Sequence, residues 1–254
     1  MFGLFGKARF LDADVEDWVL ETWAWLMTHL GGMQRLTAAP LVVPSRAFFP
    51  PTEAEGHDRA VYIFGLIQTL MGLSNWPCDL EAYERPSGRQ RVGQYAAIQH
   101  GGSAHGTFRI EDNRVIITYA ADLVEQPRKL IATLAHELSH YLLATVHAPI
   151  PGGNDLNELA TELTVAYCGF GVFGANAAFT FEQHQDTFGQ GWSSSRSGYF
   201  SERTWAFAIA LFCALKGLDP PLDHLKDSAR DLTKKAAQYL KRNAQLVTPL
   251  QDIA

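Results

Sequence analysis

Cysteine is scarce in this chain. Its 254 residues include three, Cys78, Cys168 and Cys213. They stand far apart, are odd in number and form no C-x-x-C pair, which excludes a disulfide framework and a thiolate metal site. They read as buried free thiols suited to a reducing compartment. Charge is also sparse, at 19% of residues with a net of −6. Nucleic acids and anionic membrane surfaces demand clustered cations, so neither is expected as a partner. Met1 to Phe10 offers only a short apolar start, with no long apolar stretch and no small-residue cleavage site, so no secretory leader is read there. A cytoplasmic location is therefore expected. An uncharged run, Leu163 to Phe181, is broken up by Asn176, threonines and several glycines, and its nearest flanking charges, Glu162 and Glu182, are both acidic. That pattern suits a buried, closely packed helix better than a membrane span. The run also contains Gly169-Phe170-Gly171-Val172-Phe173-Gly174. A dinucleotide site needs a strand ahead of that glycine pattern, and the residues before it read as helix. No internal repeat or low-complexity tail divides the chain, so one domain is expected over 1–254, with an α+β half (1–121) and a helical half (122–254).

What is present is enough apolar residue, 47%, to bury a sizeable core. Val15 to Leu30 carries Trp18, Trp23, Trp25, Leu26 and Leu30 among acids and ends at Gly31-Gly32, an amphipathic helix. Pro40 to Pro51 is extended. Thr52-Glu53-Ala54-Glu55 fits a capping box for a helix reaching Met71-Gly72. Short strands are expected at Asp79–Tyr83, Val92–Gln99, Gly106–Ile110 and Arg114–Ala120, the last two joined by a turn at Glu111-Asp112-Asn113. The sheet should be small and mostly antiparallel. Pro127 suits the first turn of a helix running to about Thr145. In the helical half, Ser201 should cap a helix to Lys216, ended by Gly217. A last helix over 222–243 carries i,i+4 charge pairs on a solvated face.

The Pro127 helix is apolar around most of its circumference, which marks it as buried. It nonetheless contains His136-Glu137-Leu138-Ser139-His140, an H-E-x-x-H pattern. With about 3.6 residues per turn, His136 and His140 share one face and can point two imidazoles at one metal ion. Glu137 flanks that ion and can hold a water beside it. Unpaired polar groups in a buried helix are costly, and a bound metal would pair these. A zinc site of this kind needs a third protein ligand and an open position for water. The metzincin solution fails: the expected glycine is Leu143, the expected histidine is Val146, with His147 one place late, and no methionine follows Met71.

A second segment, Asn157-Glu158-Leu159-Ala160-Thr161-Glu162, follows on its own helix, with Glu158 18 positions after His140. Asp155-x-x-Glu158 also fits a plain capping box. The segment resembles the N-E-x-x-S-D stretch of thermolysin-like gluzincins, and the resemblance covers residues 127–165. It implies a zincin-like fold, a small sheet followed by the buried H-E-x-x-H helix, and one zinc ion. Glu158 would be the third ligand and Glu162 the acid that orients a ligand histidine, His136 above all. Glu162 stands where the family has aspartate, so the reverse assignment, Glu162 as ligand with Glu158 as its support, stays open. The segments around Trp76-Pro77-Cys78, the motif helix and Gly169-Phe170-Gly171 also resemble bacterial zincin-like proteins with no assigned activity.

The resemblance implies a metallopeptidase acting on a peptide or protein substrate, with Glu137 as general base. The tetrahedral intermediate of peptide hydrolysis needs an oxyanion donor besides the metal. Candidates are His184, Tyr199 and Arg203, with His147 and Tyr167 as further possibilities. Arg114–Ala120 is expected as an edge strand that pairs an extended substrate. The alternative is a non-catalytic zinc-binding module that docks a peptide or protein partner. Glu137 favours the enzyme, since a purely structural site does not need it.

Overall fold

The computed structural model describes residues 9–84, 106–112, 114–182 and 200–254. The expected strand at Val92–Gln99 lies outside them, as do His184 and Tyr199.

Helix α1 (Ala13–Leu30) buries Val19, Trp23, Leu26 and Met27 along one side. Gly31, at φ 101°, ends it in the left-handed conformation and lets α2 (Gly32–Ala38) follow at once. An extended stretch leads to α3 (Gly56–Leu70). The capping box expected at Thr52–Glu55 does not form. The Thr52 hydroxyl accepts instead from the Ala54 amide at 3.1 Å, which turns the chain locally and delays the helix to Gly56.

Strands β1 (Asp79–Tyr83), β2 (Gly106–Glu111) and β3 (Arg114–Ala120) form one sheet in the order β1-β3-β2. β2 and β3 make the antiparallel hairpin, with Asp112 at φ 49° in its turn. β1 runs parallel to β3, so the sheet is mixed rather than mostly antiparallel. A parallel neighbour needs a crossover of a dozen or more residues, and the chain between β1 and β3 is long enough to supply it. This order also corrects the expected edge strand. β3 is central, while β1 and β2 are the outer strands among the described residues.

Side chains alternate across the sheet. Leu80, Ile117 and Phe108 lie in register on one face, and Ala82, Tyr119 and Gly106 form the next row. The other face carries ion pairs, Arg109 with Glu81 at 2.8 Å and Arg114 with Asp79 at 2.5 Å.

A 3-10 turn (Ala121–Glu125) leads into α4 (Pro127–Ala144), which starts on Pro127 as expected. α4 packs against α3, β2, β3, α5 (Asn157–Tyr167) and α6 (Gly171–Glu182). Being enclosed on so many sides explains why its sequence is apolar nearly all round. The expected continuous helix through Leu163–Phe181 is instead two, α5 and α6, with a corner at Gly169. Gly169 sits at φ 88°, and a Cβ there would collide with the carbonyl oxygen of Pro40. A Cβ on Gly171 would meet Ile209, and one on Gly174 would run into the Trp205 ring. The glycine pattern therefore serves close helix packing.

Ser201 caps α7 (Glu202–Lys216), its hydroxyl accepting from the Thr204 amide at 3.1 Å, and Gly217 at φ 64° ends it. The last long helix, α8 (Asp227–Arg242), starts later than expected, after a 3-10 turn at Leu222–His224. A short α9 (Thr248–Gln251) closes the described chain. No helix among the described residues is long and apolar enough to cross a membrane.

Candidate metal centre

α4 presents His136 and His140 one turn apart, and their Nε2 atoms lie 3.1 Å from each other. Both rings are nearly buried, at 8% and 6% exposure. α5 packs against α4 and brings its side chains to both rings. The loop between the two helices holds Gly152 and Gly153 at positive φ, and the Trp18 indole fastens it to α1 by donating to the Pro151 carbonyl at 2.9 Å.

The capping box expected at Asp155–Glu158 does not form. A 3-10 turn over Asn154–Leu156 precedes α5, and the Glu158 carboxylate turns toward the histidines. Its Oε2 lies 3.4 Å from His136 Nε2 and its Oε1 3.5 Å from His140 Nε2. Glu162, one turn along α5, places Oε1 3.7 Å from His136 Nδ1. Glu158 therefore faces the two inward nitrogens, while Glu162 stands behind one ring.

Two neighbouring residues escaped the reading of the sequence. Thr161 is fully buried. Its hydroxyl donates to the Asn157 carbonyl at 2.9 Å and lies 3.2 Å from His140 Nδ1. Gly106, at the start of β2, lies over Glu137, itself fully buried. A Cβ on Gly106 would sit 3.0 Å from Glu137 Oε1, 2.7 Å from Thr133 Cγ2 and 2.9 Å from the Thr118 carbonyl oxygen. The absent side chain thus makes room for the Glu137 carboxylate. Thr161 shared a motif but had no expected role, and Gly106 carried no local signal beyond being a glycine in a strand. From the same strand, Phe108 stacks along His140, with ring centroids 6.3 Å apart, and walls one side of the site.

Burial opposes charge on His136, but the carboxylates of Glu162 and Glu158 outweigh it and hold its pKa well above the ordinary imidazole value. Burial pulls His140 the other way. Glu158 resists that and the nearby His136 adds to it, so the net direction is down. Burial would raise Glu158, yet its contacts with both histidines win and push it down to about 2. The carboxylates of Glu158 and Glu162 thus favour positive charge at the histidine pair, and a divalent cation can supply it.

The donor set fits such an ion. His136, His140 and Glu158 each offer one ligand atom, all within 4.8 Å of one another. Ligand distances of about 2.0–2.1 Å around a tetrahedral zinc put its ligand atoms roughly 3.3–3.4 Å apart. Here the two Nε2 atoms are 3.1 Å apart, and each meets its own Glu158 oxygen, Oε2 at 3.4 Å from His136 and Oε1 at 3.5 Å from His140. The group could hold a metal ion.

The remaining candidates are placed differently. Arg203 donates from Nε to the Phe10 carbonyl and lays its guanidinium over the Phe10 ring, 4.4 Å from the centroid. Tyr167 is buried edge-on against Trp23, and His147 is exposed. None of the three is brought into the cluster. Comparison of the chain with known protein families, with curated proteins and with solved structures finds no match.

Proposed function

We propose that this chain is a zinc-dependent metallopeptidase of the gluzincin type. The observation that carries the reading is the convergence of His136, His140 and Glu158, one ligand atom from each lying within 4.8 Å of the others, with Glu137 buried on the same helix. His136, His140 and Glu158 would hold one zinc ion. When bound, it supplies Lewis acidity toward a water and a substrate carbonyl. Glu137 takes a proton from the attacking water and passes it to the leaving amide nitrogen, so the residue ends each cycle as it began. Glu162 and Thr161 hold the outer nitrogens of the two rings.

β2 supports the substrate side of the proposal. It is an outer strand among the described residues, and Gly106 brings its first residue against Glu137. An extended peptide added to that edge would run past the base. This moves the proposed substrate strand from β3 to β2. The zinc-binding module without catalysis is the competing reading, and Glu137 separates the two.

The test is zinc content and hydrolysis of a fluorescently quenched casein by the purified chain and by Glu137→Gln. The expected result is about one zinc per chain in both, with cleavage only in the parent and a loss of at least about 100-fold in the variant, the scale of general-base catalysis. Zinc in both with equal cleavage would remove Glu137 from the mechanism. Zinc in both with no cleavage of casein or of a mixed peptide library would favour the binding module.

A further inference from the structure

Within the proposed metal centre, the structure assigns Thr161 as the positioning residue that sets the tautomer of His140. A hydroxyl carries one proton. Thr161 gives it to the Asn157 carbonyl, one turn back on α5, at 2.9 Å. Its contact with His140 Nδ1, at 3.2 Å, is then one in which oxygen accepts and the ring donates. A neutral imidazole with its proton on Nδ1 has its lone pair on Nε2. Nε2 is the atom that faces Glu158 at 3.5 Å and His136 Nε2 at 3.1 Å. The hydroxyl thus presents His140 to a cation in its ligating form and fixes the ring's rotation.

The alternatives available to Thr161 are few. It is fully buried, and its hydroxyl meets the Asn157 carbonyl and His140 Nδ1. Val would keep the shape and lose the acceptor, while Ser would keep the acceptor and lose a methyl. The division of labour is also asymmetric: His136 Nδ1 faces a carboxylate, Glu162, at 3.7 Å, whereas His140 Nδ1 faces a neutral oxygen. A neutral acceptor orients the ring without adding a second negative charge behind the ligands.

This inference rests on the metal reading, and its test separates the two. In the zinc-free parent chain, a long-range 15N–1H correlation of the histidine rings should show His140 protonated at Nδ1. Finding the proton on Nε2 overturns the assignment whether or not zinc binds. Zinc affinity is then measured by competition with a chromophoric chelator, with Co(II) absorption as the report on ligand geometry. Thr161→Val should bind zinc about 10- to 100-fold more weakly, the usual cost of losing a group that orients a ligand, and Thr161→Ser should stay within a few-fold of the parent. A folded Thr161→Val chain with parental affinity overturns the positioning role. Should that variant not fold, the ring correlation in the parent still decides the tautomer. A parent chain with the Nδ1 tautomer but no zinc would leave Thr161 as assigned and refute the metal reading.

Discussion

The two glutamates of α5 are distinguished by which nitrogens they meet. Glu158 approaches both Nε2 atoms, and Glu162 approaches one Nδ1. Glu158→Ala should therefore abolish stoichiometric zinc binding, while Glu162→Ala should retain zinc with an affinity lower by about 10- to 100-fold. Metal analysis after dialysis checks this. The reverse order, with Glu162→Ala losing the metal and Glu158→Ala keeping it, would exchange their roles. The thiols provide a second residue-scale prediction. Burial pushes Cys213 up to about 12 and Cys78 up to about 11, and it raises buried Cys168 as well. The thiolate is the nucleophile, so the folded chain at pH 8 should react with iodoacetamide far more slowly than the urea-unfolded chain, by about 100-fold. Rapid labelling of the folded chain, read by mass spectrometry, would contradict that environment.

At the scale of elements, two glycines decide how neighbours fit. β2 reaches α4 because Gly106 lacks a Cβ; adding one forces it against Thr133 and the Thr118 carbonyl and toward Glu137. Gly106→Ala should destabilise the fold by about 1–3 kcal/mol, the usual cost of overpacking. Under the proposed mechanism it should reduce hydrolysis more than zinc content, because the displaced group is the proposed base and not a proposed ligand. Urea unfolding and metal analysis of the same sample check both parts. The α5–α6 corner depends on Gly169 for two reasons, its φ of 88° and its closeness to Pro40. The Gly169 carbonyl also accepts from the Val42 amide at 3.0 Å, so the corner is fastened to the extended segment before α3. Gly169→Ala adds left-handed strain to a steric collision and should cost more than Gly106→Ala, seen as a larger fall in the thermal midpoint. An equal or smaller fall would mean that the corner can relax.

Across the whole molecule, the candidate metal centre sits inside the main packing rather than on an appended loop. α4 and α5 contribute Leu130, Leu134, Leu138, Leu142, Ala160 and Leu163 to the core that also holds α1, α6, α7 and α8. α7 and α8 pack closely, and Lys216 ties α7 to the end of α2 by donating to the carbonyls of Leu36, Thr37 and Ala39 at 2.6–2.7 Å. A ligand that binds only the folded state stabilises it by mass action, about 2.7 kcal/mol at a free concentration of 100 times Kd. Zinc should therefore raise the thermal midpoint of the chain, EDTA should lower it to the metal-free value, and His140→Ala should respond to neither. A parent midpoint unmoved by zinc would argue against a site coupled to the core.

Local signals made α4 readable from the residues alone: Pro127 at its start, an apolar circumference, and two histidines spaced by one turn. Ser201, Gly217 and Gly31 likewise marked helix ends, because caps act through bonds to residues three or four positions away. The hairpin of β2 and β3 was legible for the same reason. Contacts across the chain were not. That β1 lies parallel to β3, that β2 takes the outer place, that Leu163–Phe181 bends at Gly169, and that Gly106 clears space for Glu137 all depend on partners distant in sequence. By itself the sequence determined a helix that points two imidazoles the same way, and an acid-bearing helix to follow it. Only the tertiary structure decided which acid meets which nitrogen and that a threonine hydroxyl stands behind His140. Helical periodicity is set within one turn, whereas the angle at which α5 crosses α4 is set by everything packed around both.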